Sequence, residues 1–367
     1  MFYTGLAQAI GEKVVHIFGT GENSLMLGLM LVGTALSSVL SNTGTCACLM
    51  PVALGICAAS KNPASRQLLP MAYACGWGGI ITLVGTPPNI IGSGALTAAG
   101  LPGFSFFEFA WIGIPLSVAG ILYMLLIGKY LLPKAELDAD QEIEQEIEAT
   151  THDKKKQVIS GVILLACVTV MALNLKFISL EMTAIIGALV CVLTGCLTEK
   201  QAYSSIDWVT IFLFAGMMPV STAMDKTGAG KLIANWAVGL MGGEPTPLIV
   251  TIVLFSISCF LTQFMSNTAS AALLCPIGIA IAKQLNADPK AVVMAIAVAA
   301  SCAFATPVGT PPCTLVLGPG GYKFMDYVKC GTGLVLLCRR GNMIRMKVLT
   351  AYNMLYFLAP GRMKSVL

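Results

Sequence analysis

The sequence predicts an all-α fold: a polytopic membrane protein with inverted repeats, two re-entrant helical hairpins and two broken helices. Three observations predict it. Of the 367 residues, 56% are hydrophobic and only 11% are charged, whereas a soluble domain carries about 25% charged residues. Apolar stretches recur at 158–173, 182–197, 208–220, 248–261 and 291–305, several of them shorter than the roughly 20 residues of an untilted span. A polar cluster followed by a proline-rich break is also written twice. Ser41-Asn42-Thr43 with Pro51 recurs 225 positions later as Ser266-Asn267-Thr268 with Pro276. Val84-Gly85-Thr86-Pro87-Pro88-Asn89 recurs 224 positions later as Val308-Gly309-Thr310-Pro311-Pro312-Cys313. A duplicated polar break inside apolar helices is the mark of a two-repeat carrier with its site at the repeat interface.

Each element follows from the pattern. Residues 1–19 mix apolar and polar positions at helical spacing and read as a short amphipathic helix at the membrane surface or the tail of a span. Residues 24–60 form the first hairpin, two apolar arms of about 16 residues each around Ser41-Asn42-Thr43. At 1.5 Å per residue each arm reaches about 24 Å, too short to cross. Polar backbone at that depth must line a cavity or be buried in protein. Residues 68–98 form the first broken helix, continuous to 84 and interrupted at Gly85-Thr86-Pro87-Pro88, where the prolines remove donors and disfavour helix in the residue before them. Residues 107–132 are a full span that completes a partial first repeat at 1–132. The segment 133–157 is the polar linker, with Glu142, Glu144, Glu146 and Glu148 before Lys154-Lys155-Lys156. The second repeat occupies 158–330, with its hairpin at about 246–283 and its broken helix at about 290–318. Residues 331–367 read as a disrupted last span or an aberrant tail, because Arg339, Arg340, Arg345 and Lys347 fall where apolar residues are needed.

The basic loops at 61–66 and 154–156 share one side, which the positive-inside rule makes cytoplasmic; the uncharged loop near 100 lies opposite. Counting spans onward, the first hairpin opens from inside and the second from outside, so the repeats are inverted. The second repeat has about three spans before its amphipathic helix at 224–238, and the first has none. The chain is therefore expected to be truncated at its N-terminus.

Thirteen cysteines are scattered through the apolar runs without paired metal spacing, and there are only two histidines. These cysteines read as small packing residues. No nucleophile–base pair stands out, so the sequence does not predict an enzyme. Nothing in the net charge of +4 points to nucleic acid. The hairpin tips offer unpaired helix ends with Ser, Asn and Thr beside them. Helix N-termini favour an anion, while carbonyls and hydroxyl oxygens favour a hard cation. No carboxylate or histidine sits beside either motif, which favours sodium over proton coupling.

The paired Ser-Asn-Thr and Gly-Thr-Pro-Pro motifs resemble those of the divalent anion/sodium symporters, the di- and tricarboxylate and sulfate carriers of the ion transporter superfamily; the resemblance covers residues 1–330. It implies secondary transport of a small anion coupled to sodium, by elevator movement against a scaffold. The sodium ions are transported rather than tightly held. The expected partners are the anion, the lipid bilayer of a bacterial plasma (inner) membrane and, at full length, a second copy in a homodimer. Carried over residue by residue, one sodium site uses Ser37, Ser41, Asn42 and Gly85. The other uses Thr262, Met265, Asn267 and Gly309, with Met265 and Gly309 acting through their carbonyls. The anion is held by Asn42, Thr43, Thr86, Asn267, Thr268 and Thr310. Cys313 departs from the pattern, standing where the first motif has Asn89. An antiporter or proton-linked carrier of the same superfamily, or a non-transporting fragment, are the alternatives.

Overall fold

The computed structural model describes residues 21–133, 154–173, 178–206, 246–285 and 287–339, with scattered positions between 4 and 19 and between 208 and 239. Among the described residues there is helix and no strand, and the all-α, polytopic class expected from the sequence is the one observed. The helices expected at 1–19, 208–220 and 224–238, most of the linker at 133–157, and the tail beyond 339 lie largely or wholly outside the described residues.

The elements in order are α1 (Glu22–Ser37), α2 (Asn42–Ser60), α3 (Leu68–Gly78), α4 (Pro87–Ala98) and α5 (Ala110–Tyr123). A π-turn carries α5 on to Leu131. Next come α6 (Lys154–Leu173), α7 (Leu180–Leu193) and the short α8 (Glu199–Ser204). The last group is α9 (Pro247–Leu261), α10 (Asn267–Gln284), α11 (Pro289–Ala300), α12 (Pro311–Leu315) and α13 at 324–339. Helix starts carry their expected chemistry. The hydroxyls of Ser41 and Ser266 accept from Gly44 N and Ala269 N, and Pro87, Pro247, Pro289 and Pro311 stand in first turns.

Three boundaries differ from expectation. The lysines at 154–156 are the first turn of α6 rather than part of a loop; lysine is a good helix former whose stem lies along apolar surface. Helix α3 ends at Gly78, six residues before the expected break. There the backbone of Thr34 on α1 presses so close to Gly78 that a Cβ would collide with it, and a Cβ at Gly79 would overlap the Asn42 side chain. The backbone of 79–86 is then held by other groups. Asn89 Nδ2 donates to Thr82 O at 2.8 Å, Leu83 N donates to Phe106 O at 2.9 Å, and Thr82 Oγ1 donates to Ser38 O. Side-chain partners thus replace the helical ladder. The third difference is arm length. Helix α2 has 19 residues because Asn42 and Thr43 are themselves helical, and it is long and apolar enough to cross a membrane. Length alone therefore does not distinguish a re-entrant arm from a span.

The core lies around two wholly or nearly wholly buried helices, α3 and α11. Helices α1 and α2 pack on α3, while α9 and α10 pack on α11. The halves then interlock. Helix α4 lies against α10 and α11, and α2 lies against α12. Phe304 fills the junction, edge-on to Tyr73 at 5.4 Å and Trp77 at 6.2 Å between ring centroids, an arrangement worth about 1 kcal/mol per pair beyond burial. Tyrosines close the remaining gaps. Tyr73 Oη donates to Phe304 O, Tyr123 Oη to Cys330 O and Tyr327 Oη to Cys313 O. Helices α6 and α7 pack on each other and leave apolar faces open, Leu165 at 68% and Leu193 at 84% exposure. Lipid tails solvate such faces at no cost, whereas water does not.

Candidate functional site

The tip of the first hairpin begins where α1 ends. Ser37, in its last turn, is fully buried, and its Oγ lies 2.7 Å from both Asn42 Oδ1 and Cys75 O. One hydroxyl proton serves one of these two acceptors. The same face of the Asn42 amide lies 3.1 Å from Cys75 O and 3.2 Å from Gly85 O. Four groups from three helices and a break thus converge: a hydroxyl from α1, an amide from the start of α2, a carbonyl from the last turn of α3, and a carbonyl from the break before α4.

The second hairpin repeats this arrangement with a different hydroxyl residue. Thr262 Oγ1 lies 2.7 Å from Asn267 Oδ1 and 2.5 Å from Ala300 O. The Asn267 amide lies 3.0 Å from both Ala300 O and Gly309 O. The correspondence runs through every member: Ser37 with Thr262, Asn42 with Asn267, Cys75 with Ala300, Gly85 with Gly309. It extends to the supports, because Thr82 Oγ1 donates to Ser38 O and Thr306 Oγ1 donates to Gln263 O.

Each amide can face its cradle in two ways. Nitrogen inward, it donates to the surrounding oxygens. That orientation satisfies both amides as the cluster stands; oxygen inward, the amide joins an all-oxygen cluster with a single hydroxyl proton to share, an arrangement that a cation would satisfy. All four groups of each cluster are neutral, so no buried charge has to be neutralised when the cluster is empty.

Of the residues singled out from the sequence, the structure brings together Ser37, Asn42 and Gly85 in one cluster, and Thr262, Asn267 and Gly309 in the other. The Ser41 hydroxyl is engaged elsewhere, as the cap of α2. Met265 lies in the tip, half-buried, one residue before the capping Ser266. Thr43 and Thr268 occupy the first turns of α2 and α10, Thr43 exposed and Thr268 half-buried. Thr86 and Thr310 are buried N-caps of α4 and α12 with nearly identical backbones, φ −143° and ψ 142° against φ −144° and ψ 138°, and neither hydroxyl caps its own helix. Cys46 Sγ lies 3.8 Å from Pro312 O, which sets the first turn of α2 beside the start of α12.

Sequence reasoning missed the carbonyls of Cys75 and Ala300. A carbonyl leaves no side-chain signal, and its place depends on where a helix ends. The paired glycines at 78–79 carried that information, whereas the prolines at 87–88 drew attention to the wrong end of the break.

A sequence profile of the citrate transporter family matches residues 1–267 and 169–365. The chain belongs to that family. It is 35% identical over 352 residues to an uncharacterized transporter of Haemophilus influenzae, covering 91% of this chain and 74% of that protein. It is 25% identical over 390 residues to the sodium-dependent dicarboxylate transporter SdcS of Staphylococcus saprophyticus, covering 96% of this chain and 72% of that protein. Its fold is similar to that of the YdaH transporter of Alcanivorax borkumensis, with a TM-score of 0.66 at 15% identity over 95% of this chain and 85% of that one. This citrate transporter family member is therefore an integral membrane carrier of the carboxylate-transporter kind and not an enzyme.

Proposed function

We propose that the chain carries a small di- or tricarboxylate across the membrane in symport with sodium. The observation that carries this reading is the pair of matching neutral oxygen clusters, one at each hairpin tip. Their spacing suits a hard monovalent ion. Oxygens arranged octahedrally about 2.3 Å from a cation stand about 3.3 Å from their neighbours, close to the 3.0–3.2 Å separating the Asn42 and Asn267 amides from their carbonyl partners; the hydroxyl contacts at 2.5–2.7 Å are hydrogen bonds that a bound ion would lengthen. Neutral ligands favour a single charge, since a divalent ion usually recruits carboxylates.

In this reading one sodium is held by Ser37, Asn42 and Gly85, joined by Cys75 O and the Ser41 backbone. The other is held by Thr262, Asn267 and Gly309, joined by Ala300 O and the Met265 carbonyl. The anion lies between the clusters. It is received by Asn42, Asn267, Thr43, Thr268, Thr86 and Thr310, where the N-termini of α2 and α10 point free N–H groups at negative charge. Sulfate presents the same acceptor chemistry and belongs to the same substrate class. Sodium bound first supplies the positive charge that the neutral pocket lacks, which couples the two ligands.

The hairpins enter from opposite faces of the bilayer. The movement is of the elevator type, with the α3/α11 core sliding against a scaffold that includes α6 and α7; their mutual packing and open apolar faces support that division. The working form is a homodimer in a bacterial plasma membrane. The test is uptake of radiolabelled succinate or citrate into vesicles holding the protein. Uptake rises with sodium and is abolished in Asn42→Ala and in Asn267→Ala; uptake that is indifferent to sodium overturns the assignment.

A further inference from the structure

The two oxygen clusters match, but the breaks that supply their glycine carbonyls are held differently. In the first repeat the tether comes from the far side of the break: Asn89, on α4, donates through Nδ2 to Thr82 O at 2.8 Å and to Gly79 O at 3.4 Å. The corresponding residue in the second repeat is Cys313, which has no amide. The work is done there by Gln263, at the tip of the hairpin itself. It is 7% exposed, and each polar atom of its side chain is engaged. Nε2 donates to Cys259 O at 2.8 Å and to Cys302 O at 3.0 Å, while Oε1 accepts from Ala305 N at 3.0 Å. Its main-chain oxygen accepts from Thr306 Oγ1 at 2.6 Å, and that hydroxyl accepts from Gly309 N at 3.2 Å. Thr314 Oγ1 closes the far end on Pro307 O at 2.6 Å.

We propose that Gln263 is the positioning residue of the second cation cluster, fixing the 302–309 segment to the hairpin tip so that Gly309 O faces Asn267. The consequence is an asymmetry between the half-sites. In the first, the break is held by its own following helix through Asn89 as well as by the hairpin through Thr82 Oγ1 on Ser38 O, so the Asn89 tether remains when the hairpin moves. In the second, the hairpin carries Thr262, Asn267 and both the Gln263 and Thr306 links to the 302–306 backbone, so a displaced tip takes these away together and leaves the break with the Thr314 contact at Pro307. Gln263 touches neither cation nor anion; it acts through the 302–305 backbone. The inference rests on the reading of these clusters as sodium sites, and its test separates the two claims.

Two variants and two measurements decide it. Amide hydrogen exchange reports the tether without any ligand: in Gln263→Ala the Ala305 amide exchanges faster, while amides in α3 keep their protection. Sodium-dependent thermal stabilisation of the whole purified chain reports the site: Gln263→Ala raises half-saturating sodium about tenfold. Gln263→Glu supplies a signature that mere loss of stability does not. Its protonated carboxyl still donates to Cys302 O, but its ionised form faces Cys259 O and Cys302 O with no donor. Half-saturating sodium in Gln263→Glu therefore rises with pH, whereas the wild type is flat over the same range. Unchanged exchange at Ala305, unchanged sodium affinity in Gln263→Ala, or sodium binding in Gln263→Glu that tightens with pH, as through-space attraction would give, overturns the proposal. A wild-type chain that sodium fails to stabilise sinks the sodium reading instead, and the exchange at Ala305 still judges the tether.

Discussion

In the proposed mechanism Asn42 meets two demands with one amide. It completes an oxygen cluster whose other members are Ser37 Oγ, Cys75 O and Gly85 O, and it stands at the start of α2, where a carboxylate or sulfate would be received. Substitution separates these roles. Asn42→Ala removes an oxygen from the cluster and a donor from the anion side, so sodium-dependent stabilisation and uptake both fall. Asn42→Asp keeps the oxygen and adds a negative charge. A charge at this depth strengthens attraction to a cation and repels an anion. The expected outcome for Asn42→Asp is sodium stabilisation equal to or greater than wild type, with uptake lost by at least about tenfold. Thermal shift in sodium against potassium, run beside vesicle uptake, reads both. Loss of sodium stabilisation in Asn42→Asp would show that the amide nitrogen faces the ion site and that Asn42 is no ligand.

At the scale of elements the decisive contact is α1 on α3. Gly33 sits against Cys75 and Ala74, Gly78 sits against the backbone of Thr34, and Trp77 Nε1 donates to Thr34 Oγ1 at 3.0 Å. This close approach brings Ser37 within reach of Cys75 O. In Gly78→Ala the new methyl meets backbone, which cannot rotate away. Overpacking of that kind costs about 1–3 kcal/mol, and here it also pushes α1 outward. The chain should unfold at lower temperature, and half-saturating sodium should rise further than in Ala74→Gly, a cavity-forming control on the same helix. Equal effects of the two on sodium would show that the contact only stabilises the fold. The same contact explains what could be read in advance. The motifs at 41–43, 85–88, 266–268 and 309–312 are written in side chains and prolines, and they could be read without coordinates. The end of α3 was not legible, because it is set by Thr34, 44 residues away in the chain, pressing on a glycine, and glycine is common in membrane helices for several reasons. Gln263 was passed over because a lone polar residue beside a polar motif looks redundant until its three partners are seen.

For the whole molecule, α4 interlocks with α10 and α11, and α2 with α12, so each half-site is packed against the supports of the other. Each hairpin's second arm rests on the other repeat's second half-helix, and Phe304 locks the α3 and α11 sides together through Tyr73 and Trp77. In the proposed mechanism, a cation that orders one tip would prepare the surface on which the anion and the other cation are received. Linkage makes this reciprocal: whatever factor sodium contributes to anion affinity, the anion contributes to sodium affinity. Its size is measurable as stability, because a ligand that binds only the folded chain at a hundred times its Kd adds about 2.7 kcal/mol. The expected pattern is a small thermal shift with sodium alone, almost none with succinate or citrate in potassium, and a shift with both that exceeds the sum. The excess should vanish in Asn267→Ala, although that variant leaves the first cluster intact, because the second tip can no longer be ordered. Additive shifts in the wild type, or an excess that survives Asn267→Ala, would mean that the two clusters act independently and that cation and anion share no site.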